Sequence, residues 1–506
     1  AKLTKEDIVA FANKYLKEDN YAVIYKKQGK DPNEKKMTKP EITPIITNRD
    51  VASPFLVEVQ ESAVKPIEPV FLDYQKDMSQ LKAKSDIPVL YKQNVANDLF
   101  QLIYVFDMGN NHDKALGTAF DYLEYLGTSD MTPEELKSEF YRLACTFYVS
   151  PGNERTYVVL SGLNENMPAA VQLFEKLLAD AQVNKEAYTN MTSDILKARS
   201  DAKLNQGQNF SRLMSFAMYG PKSPATNLLT EAELTNMNPQ ELVDRIHNQN
   251  SYKHRILYYG PSSSKDLLAT INQYHQVPAA LKDIPAGNEY AYLETPVTKV
   301  LVAPYDAKQI YMAQISNLDK KYDPAIEPIR ALYDEYFGGG MNSIVFQEMR
   351  ETRGLAYSAW ASIMPPSYLK YPYVLRTQIA TQNDKMIDAV TTFNDIINNM
   401  PESEAAFKLA KDGLTNRLRT ERIIKGDIIW SYINAQDLGQ NVDPRIKLYN
   451  DIQNMSLKDI VDFQKQWVKG RTYVYCILGD KKDLELDKLK AVGPIEELTQ
   501  EQIFGY

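Results

Sequence analysis

Cysteine is nearly missing from this sequence. Among 506 residues there are two, Cys145 and Cys476, and each sits inside an apolar run, "RLACTFY" and "VYCILG". That argues against a disulfide framework or a thiolate metal site and suggests two buried packing residues. No apolar run approaches the ~20 residues that a membrane-spanning helix needs. A basic surplus is missing too: the formal net charge is -8, with both signs interspersed, which gives no case for nucleic acid or an anionic membrane surface as partner. There is no Gly-x-Ser-x-Gly elbow for a serine nucleophile and no loop ending in Gly-Lys-Ser/Thr for phosphate. The four histidines, His112, His247, His254 and His275, show none of the spacings that metals select, so ordinary surface residues are expected.

What is present is the composition of a globular protein, 44% apolar and 25% charged, long enough for two to four domains. It is also repetitive. "LTKEDIVAFANKYLKEDNYAVIYKK" near the start and "MSLKDIVDFQKQWVKGRTYVYCILG" near the end share one plan, a capped amphipathic helix leading into a strand. Asp7, Ile8, Val9, Phe11 and Tyr15 match Asp459, Ile460, Val461, Phe463 and Trp467 without a gap. Thr4 followed by Asp7 is close to a capping box. A weaker third copy, "MNPQELVDRIHNQNSYKHRILYYG", places Glu241, Leu242 and Val243 in the same positions.

Longer blocks recur as well. "SGLNENMPAAVQLFEKLLAD" parallels "TQIATQNDKMIDAVTTFNDIINNM", and each is followed by a long charged helix. Residues 68–278 and 283–506 are therefore expected to be two homologous domains, divided in the Pro-, Gly- and Ala-rich "VPAALKDIPAGNEYAYLETP". Residues 1–25 are left as the closing helix–strand of a domain that does not precede them, and 26–67 as a lysine- and proline-rich linker. Ala1 has neither initiator methionine nor signal peptide before it, and the orphaned repeat favours the back half of a longer protein. Adjacent strands such as "IPVLYKQN" and "DLFQLIYVF", or "KVLVAPY" and "QIYMAQI", predict hairpins. The expected class is α+β, each domain a mainly antiparallel sheet covered by helices.

One stretch carries candidate chemistry: "GGGMNSIVFQEMRETRGLAYS". Residues 343–351 read as a helix with Arg350 near its end, Gly354 as a turn, and "LAYSAWA" as a strand holding Tyr357. A guanidinium suits a peptide carbonyl or carboxylate, and a phenol can donate to a developing oxyanion. The loop Gly338, Gly339, Gly340 and Asn342 could touch peptide or serve only as a flexible turn.

Duplicated α+β domains with this motif resemble the pitrilysin/insulinase family of zinc metallopeptidases. The resemblance implies four homologous domains in two bowls closing like a clamshell, an inverted His-x-x-Glu-His zinc motif in the first half, and an Arg and a Tyr seven residues apart in the second. Arg350 and Tyr357 match that pair. Where the zinc motif would fall, "FDYLEYLGTSD" puts Asp121 and Tyr125 in place of the two histidines around Glu124, and "ALYDEYFGGG" also lacks histidine. No metal or cofactor is expected in this chain, because a mononuclear peptidase site needs three protein ligands and an open position. The resemblance then implies a non-catalytic C-terminal half. Its partner would be the zinc-bearing N-terminal half of the same protein, its substrates unfolded peptides, and its setting periplasmic or secreted. The alternative is an inactive scaffold or interaction protein with the same fold.

Overall fold

A computed structural model describes residues 3–19, 21–27, 29, 53–63, 65–307 and 309–506. The chain forms two compact units, residues 1–66 and 67–506. In the first, the helix Lys5–Tyr15 begins with the full capping box: Asp7 N–H donates to Thr4 Oγ1 and Thr4 N–H to the Asp7 carboxylate. Its apolar residues Ile8, Val9, Phe11 and Tyr15 are exposed. The strand expected after it does not form. Tyr21, Val23, Ile24 and Tyr25 carry the right side chains but remain exposed without a ladder, since strand propensity is realised only against a neighbouring strand. Most of the expected linker, 30–52, lies outside the described residues. Near its end Ser53 caps a short helix, Pro54–Glu61.

Residues 67–506 build two sheets on one plan. The first contains β1 (Ser79–Lys82), β2 (Pro88–Gln93), β3 (Leu99–Phe106), β4 (Cys145–Pro151), β5 (Thr156–Leu163) and β6 (Arg255–Gly260). The second contains β7 (Lys299–Pro304), β8 (Gln309–Lys321), β9 (Ala356–Met364), β10 (Pro372–Gln382), β11 (Val474–Gly479) and β12 (Ile495–Glu497). Their spatial orders are β1-β2-β6-β3-β5-β4 and β12-β7-β11-β8-β10-β9. β6 runs parallel to β2 and antiparallel to β3. β11 has the same relation to β7 and β8. The class is α+β with mostly antiparallel sheets.

The expected hairpins are not made: β6 separates β2 from β3, and β11 separates β7 from β8. Both inserted strands belong to the recurring helix–strand unit. All six residues of β11 are buried, as are Ile256, Leu257 and Tyr258 of β6. A strand apolar on both faces gains most at the centre of a covered sheet, and that gain outweighs the local convenience of a tight turn.

One face of each sheet packs on its own helices. Met167–Asp180 and Gln240–Asn248 cover the first, with Phe106 and Phe174 in the core. Glu327–Phe337, Met386–Asn398 and Leu457–Trp467 cover the second, around Tyr333, Phe393 and Trp467. The opposite faces are covered by exchange. The helix Gln206–Tyr219, which precedes β6 in the chain, lays Phe210 and Leu213 on Ala313, Val374 and Cys476 of the second sheet. The helix Asp427–Asp437, which precedes β11, lays Ile428, Ile429 and Ile433 on Ile103, Val159 and Leu257 of the first. Arg155 reinforces the junction, donating to both Asp437 carboxylate oxygens at 2.6 Å and to Asp107 at 2.6 Å.

Candidate functional site

Ser343 opens the motif as an N-cap, accepting from Phe346 N–H. The helix Ile344–Phe346 then widens into a π-turn over Gln347–Thr352, so Arg350 lies inside the wide turn and not at the end of an ordinary helix. Such turns are rare and concentrate at functional sites. Met349, fully buried, anchors this one, and Leu355 N–H returns to Met349 C=O at 2.8 Å. Gly354 makes the exit at φ +58°, a left-handed conformation that glycine adopts without Cβ strain.

β9 follows at the edge of its sheet. Its register against β10 shifts between Ala356↔Thr381 and Ser358↔Ala380, leaving Tyr357 in a bulge. Bulges re-aim side chains; Tyr357 is 78% exposed. The Arg350 guanidinium lies 4.9 Å from the Tyr357 ring centre and 4.9 Å from that of Phe346, held between two aromatic faces. Its nearest carboxylate is that of the adjacent Glu351, at 3.6 Å. Neither the Tyr357 hydroxyl nor the Arg350 guanidinium hydrogen-bonds to any described residue. The pair is presented, oriented, and open to an incoming acceptor.

The glycine loop divides into two parts. A Cβ at Gly338 would sit 2.1 Å from the Ala361 carbonyl oxygen on β9, so that glycine is required by close packing. Gly338 and Gly339 N–H both donate to Asp334 C=O. The Asp334 side chain holds the same strand, accepting from Ile363 N–H and Ser362 Oγ; burial pushes its pKa up to about 6, opposed by Arg330. Gly340 and Asn342 are exposed.

In the first sheet's half, the helix Leu116–Leu123 carries the expected degenerate motif. Asp121 and Glu124 are exposed one turn apart, and neither makes an ion pair or hydrogen bond among the described residues. Partial enclosure and then the Glu124 charge raise the Asp121 pKa. Tyr125 follows the helix, exposed. Among the described residues no three His, Cys, Asp or Glu side chains are grouped to hold a metal ion.

Two histidines read as surface residues are buried. His254 and His275 meet Nε2 to Nε2 at 2.8 Å, with His275 Nδ1 2.6 Å from Glu175 and His254 Nδ1 2.7 Å from Tyr252 C=O. The Asn250 side-chain amide and Gln276 N–H also donate to Glu175. The Nε2–Nε2 contact takes one proton, donated by one ring and accepted by the other. Burial, then the charge at His275, lowers the His254 pKa to about 3. No sequence spacing signals this pair, because β6 and the end of the helix Ser264–Tyr274 bring together residues 21 positions apart.

Residues 256–414, which span the Arg350–Tyr357 site, match the family described as the peptidase M16 inactive domain. Over that stretch the chain is similar to an M16 inactive domain. The resemblance to pitrilysin/insulinase-type peptidases rests on the same fold, and what the chain carries is a catalytically inactive peptidase fold. The non-peptidase homolog YmxG of Helicobacter pylori is 23% identical over 422 residues, covering 79% of this chain and 93% of its own length. A peptidase M16 inactive domain structure from Pseudomonas fluorescens aligns with TM-score 0.62 at 15% identity, over 80% of this chain and 98% of that one. The periplasmic protease PqqL of Escherichia coli aligns with TM-score 0.63 at 13% identity over 95% of this chain. This chain spans about half of PqqL, 51% of its length.

Proposed function

We propose that this chain is the non-catalytic C-terminal half of a zinc-dependent metalloendopeptidase, closing a chamber around unfolded peptide and positioning it for a zinc-bearing half. The observation that carries this reading is the Arg350–Tyr357 pair. An M16 inactive domain here displays, at the end of an edge strand, a ring-held cation and a phenol with free donors. Arg350 would grip a peptide carbonyl or carboxylate, and Tyr357 would donate to the carbonyl oxygen as it gains charge. The metal of the partner half would polarise the attacking water; among the described residues no cluster of ligands replaces it. On this reading residues 1–25 close a preceding domain, residues 26–67 connect the halves, and the setting is periplasmic or secreted, as PqqL's is.

The test combines this chain with a partner half carrying His-x-x-Glu-His, zinc and a quenched peptide. Loss of one oxyanion donor typically costs ~10²–10³-fold in kcat, so Tyr357→Phe should slow turnover on the order of 10²-fold, with Arg350→Ala weakening kcat/KM. Near-wild-type rates in both variants would overturn the assignment. The scaffold reading is favoured by the likeness to YmxG, named a non-peptidase homolog. It prevails if the partner half also lacks the histidines.

A further inference from the structure

The two repeats differ at one matched position, far in sequence from the Arg350–Tyr357 site. "NENMPAAVQLFEKLL" aligns without a gap with "NDKMIDAVTTFNDII", which sets Asn394 where the first repeat has Glu175. Both residues lie in the helix that follows a short 3-10 turn, Met167–Asp180 or Met386–Asn398. The strands facing them match as well: His254 directly precedes β6, and Tyr473 directly precedes β11. In the first repeat the chain supplies a carboxylate and surrounds it with partners. Glu175, 1% exposed, accepts from the Asn250 amide and Gln276 N–H and meets His275 Nδ1 at 2.6 Å.

The second repeat keeps donors at this place but no acid. Asn394 Oδ1 accepts from the Tyr475 hydroxyl at 2.6 Å and Gln314 Nε2 at 2.7 Å, which leaves Nδ2 a donor with no acceptor among the described residues. The helix that brings His275 into the first repeat has 11 residues; its counterpart after β11, Leu486–Leu489, has 4. Beside this shorter helix is a cavity of about 540 Å³, lined by Asn394, Arg471 and Lys488 together with Ile387, Val390 and Val492. That volume lies within the usual range for small-molecule sites. No Asp or Glu lines it. Lys488 pairs with Glu485, outside the lining. Arg471 donates from Nε to Trp467 C=O at 3.0 Å and makes no ion pair among the described residues. One permanent positive charge therefore stands uncompensated at the cavity.

We infer that this cavity binds a small organic monocarboxylate, whose carboxylate takes the part that Glu175 plays in the first repeat. Arg471 and Asn394 Nδ2 hold the carboxylate, and Ile387, Val390 and Val492 receive an aliphatic or aromatic body. A planar guanidinium matches a carboxylate with two parallel hydrogen bonds. A single uncompensated charge selects a monoanion over a phosphate dianion, and the apolar wall rejects a bare inorganic ion. The inference comes from the contrast between the repeats and does not rest on the proposed function.

The experiment uses the full chain alone. Isothermal titration calorimetry follows hexanoate and phenylacetate, against hexanamide, hexylamine and hexyl phosphate. The acids should bind at least tenfold more tightly than the amide, the amine or the phosphate ester, because a site built to pair one charged group rejects analogues without it. Arg471→Gln should weaken acid binding at least tenfold. Asn394→Asp keeps an acceptor for Tyr475 and Gln314 while supplying the carboxylate from the chain, as Glu175 does. It should abolish acid binding, with circular dichroism confirming the fold of both variants. Equal binding of acid and amide, tighter binding of the phosphate ester, no binding of either acid at millimolar concentration, or undiminished acid binding in either variant would overturn the inference. The readout needs no zinc-bearing half, so it stands or falls separately from the hydrolysis test of Arg350 and Tyr357.

Discussion

His254 is buried with its Nε2 2.8 Å from that of His275, and this sets a pH limit on the fold. His254 is held neutral with its pKa lowered to about 3, against ~6.5 for an exposed imidazole. A base whose folded pKa is depressed is stabilising above the unfolded value, and that stability is lost as pH falls. Folding stability should therefore decline from about pH 6.5 toward pH 3, by ~2 kcal/mol at pH 5 from this group. Urea titrations at pH 7.5 and pH 5 read the difference, and imidazole nitrogen shifts should show His254 neutral at pH 5. His254→Gln should flatten the slope between those two pH values even if it lowers stability at both. The burial of these two side chains was not legible in the sequence, where "YKHRIL" and "QYHQVP" carry no shared period.

Among elements, glycines that look alike in the sequence separate by what surrounds them. Gly338→Ala forces a methyl into the Ala361 carbonyl and should cost ~2 kcal/mol or more, in line with other strongly strained sites. Gly354→Ala meets no atom within 4 Å and should cost only the left-handed backbone penalty, ~1 kcal/mol. Gly340→Ala should be near neutral. At the turn before β4 in the other half, Ala144 at φ 48° already bears that penalty, so Ala144→Gly should stabilise by up to ~1 kcal/mol. Thermal melts of the four variants rank them. Much of the element content was readable, since capping boxes and apolar spacing mark Lys5–Tyr15 and Leu457–Trp467, and "LAYSAWA" alternates as β9 does. Strand order was not, because β6 and β11 take central places for a reason that lies in tertiary burial. The strand after Tyr15 shows the converse, a legible local pattern with no sheet to complete it. At the candidate site, Arg350 and Tyr357 could be found by spacing. The π-turn and the bulge that aim them could not, because both arise from packing of Met349 and from register with β10.

For residues 67–506 the decisive feature is the exchange of helices between sheets. Phe210 sits on the second sheet and Ile429 on the first. Phe210→Ala and Ile429→Ala should each cost ~3–4 kcal/mol, the usual range for buried large-to-small changes. Each loss should register in the sheet that lies far from its own segment, and both sheets should melt in one calorimetric transition. Hydrogen exchange in β5 and β10 would show this. Arg155→Ala, which leaves Asp437 unpaired at the junction, should cost ~3 kcal/mol. A lobe folded alone would keep one sheet face bare while its donated helix found nothing to cover. A single lobe would need a second copy to trade helices with, as in a swapped homodimer.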